Sequence, residues 1–341
     1  MPPGFFVFPA YRFVEEEAGM ITFFHLDHTR LAQTSVEGDV DVLPPDTLWV
    51  DLYCPTREEE KVVEKLLSIE VPTRDEMQEI ETSSRLYLED GALVMTMAVL
   101  NKPTSDEPEA ASVTFILVGN RLLTVRYVDP VPFNQFIQRI KRQPSLVPSG
   151  EQALLGLLEQ VSDNLADILE SATSDLDGLS RTIFRSNSGA QDSTNFNEAI
   201  NRIGHVADLA TKAKGSLMNL TRLLLFLAAQ ADVNKDAKDR MKTLMQDANS
   251  IDEHARFLSA KVGFLLDATM GLINLEQNNI IKMFSVAAVV FLPPTLIASV
   301  YGMNFRHLPE LDWNYGYPFA LVLMVLSATI PLWFFWRKKW L

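Results

Sequence analysis

The sequence predicts an α+β domain, then long stalk helices and two C-terminal transmembrane helices, and three observations carry that prediction. Met283 to Phe305 and Trp313 to Trp336 contain no charged side chain, and each run exceeds the roughly 20 helical residues that cross a bilayer core. Upstream, Leu154, Leu158, Val161, Leu165, Ile168, Ala172, Leu176, Leu179 and Ile183 recur at spacings of three and four, the stripe of a long amphipathic helix. Before about residue 145, short apolar runs are instead punctuated by turn and cap signals.

Residues 1–145 read as a mixed α/β domain. Thr47 to Leu52 is a strand. Thr56-Arg57-Glu58-Glu59 is a capping box opening a helix to about Ile69, and Thr73-Arg74-Asp75-Glu76 repeats the device for a shorter one. Leu93 to Leu100 and Ser112 to Val118 are strands, the second turning at Gly119-Asn120 into Leu122 to Val128. Lys102 to Glu109, with two prolines and the acids Asp106, Glu107 and Glu109, is a loop.

Residues 146–235 form an antiparallel long-helix stalk. Ser149-Gly150-Glu151-Gln152 starts its first helix as a capping box, Arg185 to Asn195 is a polar turn, and a second helix runs from about Phe196 to Ala231. Asp232-Val233-Asn234 breaks it. From 236 to 301 the helical pattern runs on without a stop, close to 100 Å at about 1.5 Å per residue. The first membrane span, about 283–301, therefore continues a soluble helix. A loop at 302–316, a second span at 317–336 and a basic tail at 337–341 complete the chain.

The balance of 30 basic against 44 acidic residues, net charge -14, argues against nucleic acid as a partner. The single cysteine, Cys54, excludes an internal disulfide and a multi-thiolate metal site. The N-terminus is broken by Pro2, Pro3 and Pro9 and reads as no secretory signal. Lys282 precedes the first span and Arg337, Lys338 and Lys339 follow the second; the intervening loop carries Arg306 against Glu310 and Asp312. Both termini, and the large N-terminal body, are expected on the cytoplasmic side of the membrane. No phosphate-cradling glycine pattern, nucleophile–base motif or metal-ligand cluster marks the α/β domain as an enzyme, and no organic cofactor is implied.

The first span carries the more polar stripe: Asn278, Ile281, Ser285, Ala288, Leu292, Thr295 and Ser299, leading to Gly302 and Asn304. Two spans cannot enclose an aqueous path, so pore lining requires several copies around an axis. Packing between membrane helices is the other reading of such small and hydroxyl residues. Pro293-Pro294 withdraws two backbone donors and frees carbonyls near Val289 and Val290. The second span, with only Ser327 and Thr329 as mid-span polar residues and Trp333, Trp336 and Trp340 at its end, reads as lipid-facing. A ring of Asn304 amide and Gly302 backbone oxygens suits a hydrated divalent ion, because Mg²⁺ surrenders its water reluctantly. Ile281 and Leu292 supply apolar constrictions.

Tyr301-Gly302-Met303-Asn304-Phe305, followed by Leu308-Pro309-Glu310-Leu311-Asp312-Trp313 and Tyr315-Gly316-Tyr317-Pro318, resembles the CorA family of divalent-cation transporters. The preceding Glu276 to Lys282 and Phe291-Leu292-Pro293-Pro294-Thr295 match as well. The resemblance implies a funnel-shaped homopentamer in the cytoplasmic (inner) membrane, passing Mg²⁺ with Co²⁺ and Ni²⁺ as further candidate cargo, and ringed at the inner boundary by a basic belt of Lys282, Arg337, Lys338 and Lys339. It makes Gly302, Met303 and Asn304 the selectivity ring, the first span the pore wall, and Glu310, with Asp312, an attractor of cations at the outer mouth. It also implies closure by intracellular Mg²⁺ bound between cytoplasmic domains; Asp247, Asp252 and Glu253 facing Asp106, Glu107 or Glu109 are the candidate ligands. A zinc carrier of the same superfamily, proton-coupled in some members, is the alternative. Met303 and the scatter of His25, His28, His205, His254 and His307 disfavour it, as does the lack of a titratable carboxylate in either span. A membrane-tethered enzyme or scaffold is the remote alternative.

Overall fold

The computed structural model describes residues 19–27, 30–36, 42–79, 81–105, 107–185, 196–230, 235–303 and 313–338. In chain order these form β1 (Met20–Asp27), β2 (Arg30–Val36), β3 (Thr47–Tyr53), α1 (Arg57–Leu67), α2 (Arg74–Gln78), α3 (Thr82–Arg85), β4 (Leu86–Glu89), β5 (Ala92–Asn101), β6 (Glu109–Val118) and β7 (Arg121–Arg126). Then come α4 (Val131–Arg142), a single 3₁₀ turn, α5 (Gly150–Arg185), α6 (Phe196–Gln230), α7 (Lys235–Tyr301) and α8 (Gly316–Arg337). Contacts divide the chain into two compact units, Met1–Gly263 and Phe264–Leu341.

The first unit is built on a seven-stranded sheet of order β2-β1-β3-β7-β6-β5-β4. Only the β3–β7 pair is parallel; the remaining neighbours are antiparallel. Strand residues alternate between faces, and both faces are covered. On one, Phe23, Val50, Leu52 and Val125 pack with Val63 and Leu67 of α1 and Met77 of α2. On the other, Phe24 stacks on Trp49 at 4.2 Å, and Phe133 and Phe136 of α4 close over Trp49 at 6.4 and 6.0 Å. α5 lies against α4 and α6, and α6 runs across β5. The change of period near residue 146 thus marks a change of secondary structure within one packed body.

Local chemistry explains most element starts. In both predicted boxes the threonine hydroxyl accepts from the third helical N–H while the glutamate accepts from the threonine N–H, at 2.8 Å for Glu59 and for Glu76. At α5 only half the predicted box forms. The Ser149 hydroxyl accepts from Gln152 N–H at 3.2 Å, but the Gln152 side-chain oxygen is taken by Arg240 of α7, a stronger, charged donor. Gly150 seats α5 on the β6–β7 turn: its N–H donates to Asn120 O at 2.9 Å, and a Cβ there would fall 2.4 Å from Leu122 N.

Five elements lie outside the sequence expectation: β1, β2, α3, β4 and α4. β1 and β2 form a local hairpin, which joins the sheet through the more distant β1–β3 pairing. α4 begins on Pro130, Val131 and Pro132, where proline is tolerated because first-turn N–H groups have no helical partner. Glu109, placed in a loop by its neighbours, is the first residue of β6 and pairs with Asn101.

One buried carboxylate offers a stability test. Glu60 is 6% exposed and accepts from the Tyr127 hydroxyl at 2.9 Å; burial raises its pKa above the ordinary value and the Tyr127 bond only partly offsets this. An acid raised in the folded state weighs against folding above its folded pKa, and the penalty fades as pH falls through that value. Glu60→Gln keeps an acceptor for Tyr127 and removes the charge. The urea midpoint of the variant is expected to exceed wild type at neutral pH and to meet it below the unfolded carboxylate's pKa; a lower midpoint at pH 7 would refute the assignment.

Candidate functional site

α7 is one helix of 67 residues, unbroken across Pro293 and Pro294. Its last turn closes through Gly302 N–H to Ala298 O at 2.9 Å and Met303 N–H to Val300 O at 3.3 Å. Gly302 therefore follows directly on the last helical residue, Tyr301, and the reason for glycine differs from the expected one. Positive φ is confined, among the described glycines, to Gly91 and Gly119. What Gly302 supplies is room: a Cβ would lie 3.1 Å from Ala298 O. Asn304, Glu310, Asp312 and His307 lie outside the described residues, as do Asp106 and Lys339.

In the second unit, the least exposed residues of α7 beyond Lys282 are Val286, Ala287, Val290, Pro293, Pro294, Ile297 and Tyr301; on α8 they are Gly316, Ala320, Met324, Ser327, Ala328, Pro331 and Phe335. Each set is one stripe at spacings of three and four, rich in small residues as helix contacts in membranes are. Asn278, Ile281, Ser285, Ala288, Leu292, Thr295 and Ser299 are all exposed, Ile281 by 61% and Leu292 by 66%. At 3.6 residues per turn this stripe points about 180° away from the covered one. Packing against the second span of the same chain therefore does not account for it.

The hydroxyls on the open stripe have a defined polarity. Ser285 Oγ donates to Ile281 O and Thr295 Oγ1 donates to Phe291 O, each at 2.7 Å. A hydroxyl has one proton; with it spent on the helix backbone, both oxygens face outward as acceptors. At these two positions the face can receive the water hydrogens of a hydrated cation.

α8 carries aromatic rings at both ends, Trp313 against Tyr315 and Phe319 at one, and Trp333 beneath the Arg337 guanidinium at 5.4 Å at the other. This is the distribution of a span anchored at two interfaces. Lys282, Arg337 and Lys338 are exposed, the condition of a charged belt. Both α7 and α8 contain windows long and apolar enough to cross a membrane, with mean hydropathy 2.0 and 2.1 and 6% of each window buried.

The candidate regulatory acids do not converge within one chain. Asp247, Glu253, Glu107 and Glu109 are exposed, and Asp252 is held by Arg256 at 2.7 Å on its own helix. Among the described residues no three His, Cys, Asp or Glu side chains gather as a metal site. His254 is engaged by Thr173 at 3.0 Å and is not free as a ligand. Polar links between α5 and α7 were not anticipated: Arg240 to Glu159 and Gln152, His254 to Thr173, and Lys261 to Asp177. Their only sequence trace is their place beside the apolar stripes of both helices.

Comparison with known proteins gives the family and the fold. Residues 45–339 match the model of the CorA-like Mg²⁺ transporter protein family. The magnesium transport protein CorA of Salmonella typhimurium and that of Escherichia coli K12 are each 35% identical over 322 residues, spanning 94% of this chain and 100% of the relative. The complete structure of the CorA magnesium transporter from Methanocaldococcus jannaschii superposes with a TM-score of 0.70 at 18% identity, covering 95% of this chain and 99% of that one. The ZntB cytoplasmic domain from Vibrio parahaemolyticus shares the fold more distantly, at TM-score 0.52 and 13% identity over 76% of this chain. Fold alone thus spans both names, whereas the relatives that share a third of their residues with this chain are magnesium transport proteins. A chain matched over 45–339, with two apolar spans and an outward acceptor stripe, belongs to the CorA family of Mg²⁺ transporters, which are not enzymes.

Proposed function

We propose that this chain assembles as a homopentamer in the cytoplasmic membrane and passes hydrated Mg²⁺ through a pore lined by α7. The observation that carries the reading is the exposed stripe from Asn278 to Ser299, turned away from the covered face of its own span pair and presenting hydroxyl oxygens as acceptors. Five copies would turn this face onto a common axis, where Asn278, Ser285, Thr295 and Ser299 meet the hydration shell and Ile281 and Leu292 form apolar rings. Gly302, Met303 and Asn304 form the outer selectivity ring, with Glu310 and Asp312 drawing cations to it. Lys282, Arg337, Lys338 and Lys339 sit at the inner boundary, and both termini are cytoplasmic.

Co²⁺ and Ni²⁺, which also take octahedral water, are further candidate cargo. Flow is passive, since neither span contains a carboxylate able to carry a proton. Internal Mg²⁺ bound between neighbouring cytoplasmic domains closes the pore. The acids Asp247, Asp252, Glu253, Asp106 and Glu107, scattered in one chain, are ligands only across a subunit boundary.

The test is Mg²⁺ influx into liposomes holding the purified protein and an indicator dye, at low and high Mg²⁺ on the cytoplasmic face. Wild type is expected to conduct, Asn304→Ala to lose most of the flux, and high internal Mg²⁺ to suppress it. Zinc uptake driven by a pH gradient, with no Mg²⁺ flux, would overturn the assignment.

A further inference from the structure

α7 is gripped by α5 at three positions, Arg240, His254 and Lys261, in the same order along both helices. Glu159, Thr173 and Asp177 of α5 meet Arg240, His254 and Lys261 of α7, at sequence separations of 81, 81 and 84. The shared order makes the helices parallel, and the first two separations define one register. The third lies three residues off, about 4.5 Å along the axis. Lys261 bridges this offset by reaching back on its flexible stem, the direction in which helical side chains lean.

The links differ in kind. Arg240 holds Glu159 with two nitrogens, Nε to Oε1 at 2.9 Å and Nη2 to Oε2 at 2.8 Å, and also holds Gln152; a fork of this type fixes both distance and orientation. Thr173 gives its proton to Leu169 O at 2.7 Å, so at 3.0 Å it accepts from His254 Nε2–H. Lys261–Asp177 is a point contact, with the Asp177 side chain 47% exposed. It stands two residues before the boundary between the compact units at Gly263.

Asp177 also has a second cation within reach. Arg181 lies four residues further along α5, and after the Lys261 hydrogen bond both lysine and Arg181 charges hold the Asp177 carboxyl below the ordinary range. An acid four residues before a base is the favourable order for a pair on one helix. Asp177, paired with Lys261, therefore has a second cation one helical turn away on its own helix, which would take over as counter-ion if the α7 link opened. A two-state element of that sort is what a gating equilibrium acts on.

We propose that Asp177 is a switch carboxylate, exchanging Lys261 on α7 for Arg181 on its own helix as the transporter changes state, while Arg240–Glu159 remains the fixed end of the clasp. This rests on the transport reading above. Because α7 is one helix from Lys235 to Tyr301, Lys261 and the stripe from Asn278 to Ser299 lie on the same helix.

The first experiment measures the internal Mg²⁺ concentration that half-suppresses influx in the liposome assay. Lys261→Met removes one partner and Arg181→Met the other, so the two are expected to shift that concentration in opposite directions, each by about tenfold, within the range of a single coupling interaction. In an Asp177→Asn background both shifts should vanish, since contacting residues are non-additive. If Arg181→Met matches wild type, or both shifts share a sign, Asp177 is a static tie and the proposal falls. The second experiment needs no flux. With Cys54→Ser, spin labels at positions 182 and 260 report the α5–α7 distance in the purified protein. Different distances for Lys261→Met and Arg181→Met support the switch even if wild type proves not to carry Mg²⁺; the same distance in both variants, and with or without Mg²⁺, ends it whatever the flux.

Discussion

Gly302→Ala is expected to cut Mg²⁺ influx by at least about tenfold, equivalent to ~1.4 kcal/mol of added barrier, while leaving unfolding of the first compact unit unchanged. The added methyl would stand 3.1 Å from Ala298 O and 3.6 Å from Ser299 O. Both are backbone oxygens of the last turn of α7 and cannot rotate away. Ala298 O is also the acceptor of the Gly302 N–H at 2.9 Å, so relieving the contact lengthens the bond that closes the helix. That turn carries Met303, and Asn304 follows it in the sequence. A shift of a few tenths of an ångström is multiplied around the ring if five copies share it. Gly302→Val, with two further methyls, should abolish flux. Wild-type flux in Gly302→Ala would show that glycine is not needed for room and that this turn does not set the selectivity ring.

Arg126→Met is expected to destabilise the first unit by about 3–5 kcal/mol, the usual loss when one partner of a buried ion pair is removed. Arg126 and Asp51 side chains are 5% and 3% exposed and meet at 3.0 Å. Asp51 also accepts from the Thr124 hydroxyl at 2.6 Å, and Thr124 in turn accepts from Trp49 Nε1 at 2.9 Å. Arg126 continues to Asp129 at 2.7 Å and lies over the Tyr53 and Phe133 rings at 4.6 and 5.1 Å. Burial pulls its pKa down, but Asp51 and Asp129 more than offset this and the net shift is upward. Methionine retains the stem and leaves the Asp51 carboxylate buried beside one hydroxyl. The double variant Asp51→Leu/Arg126→Met should recover much of the loss, because replacing both charges leaves nothing unpaired. Chemical unfolding followed by Trp49 fluorescence reads both; equal midpoints for wild type and Arg126→Met would show that the pair contributes nothing.

The membrane half of the molecule was legible in the chain because lipid imposes long, one-sided patterns. Charge-free runs identify the spans, and the spacing of Asn278, Ser285, Thr295 and Ser299 identifies a face. The helix starts at Thr56 and Thr73 were legible because a capping box is local chemistry. The Tyr301 to Pro318 run carried the family resemblance by identity of residues rather than by any physical signal. Pairing was not legible. β1 and β2 join the sheet through partners up to 33 residues away, and β3 meets β7 across more than 70; no local pattern encodes either. The Ser149 box was half wrong for the same reason, since Arg240, 88 residues on, claims Gln152.

By itself, then, the sequence determined the spans, the long helices, the stripe on α7 and the family. Each depends on residues within a few turns of one another or on a matched run. Only the tertiary structure decided which side of α7 stays open, because burial is a property of what packs beside it. Likewise, only three-dimensional neighbours pair Asp51 with Arg126, or Asp177 with Lys261. Electrostatic partners act through space at a few ångströms, and chain distance carries no record of them.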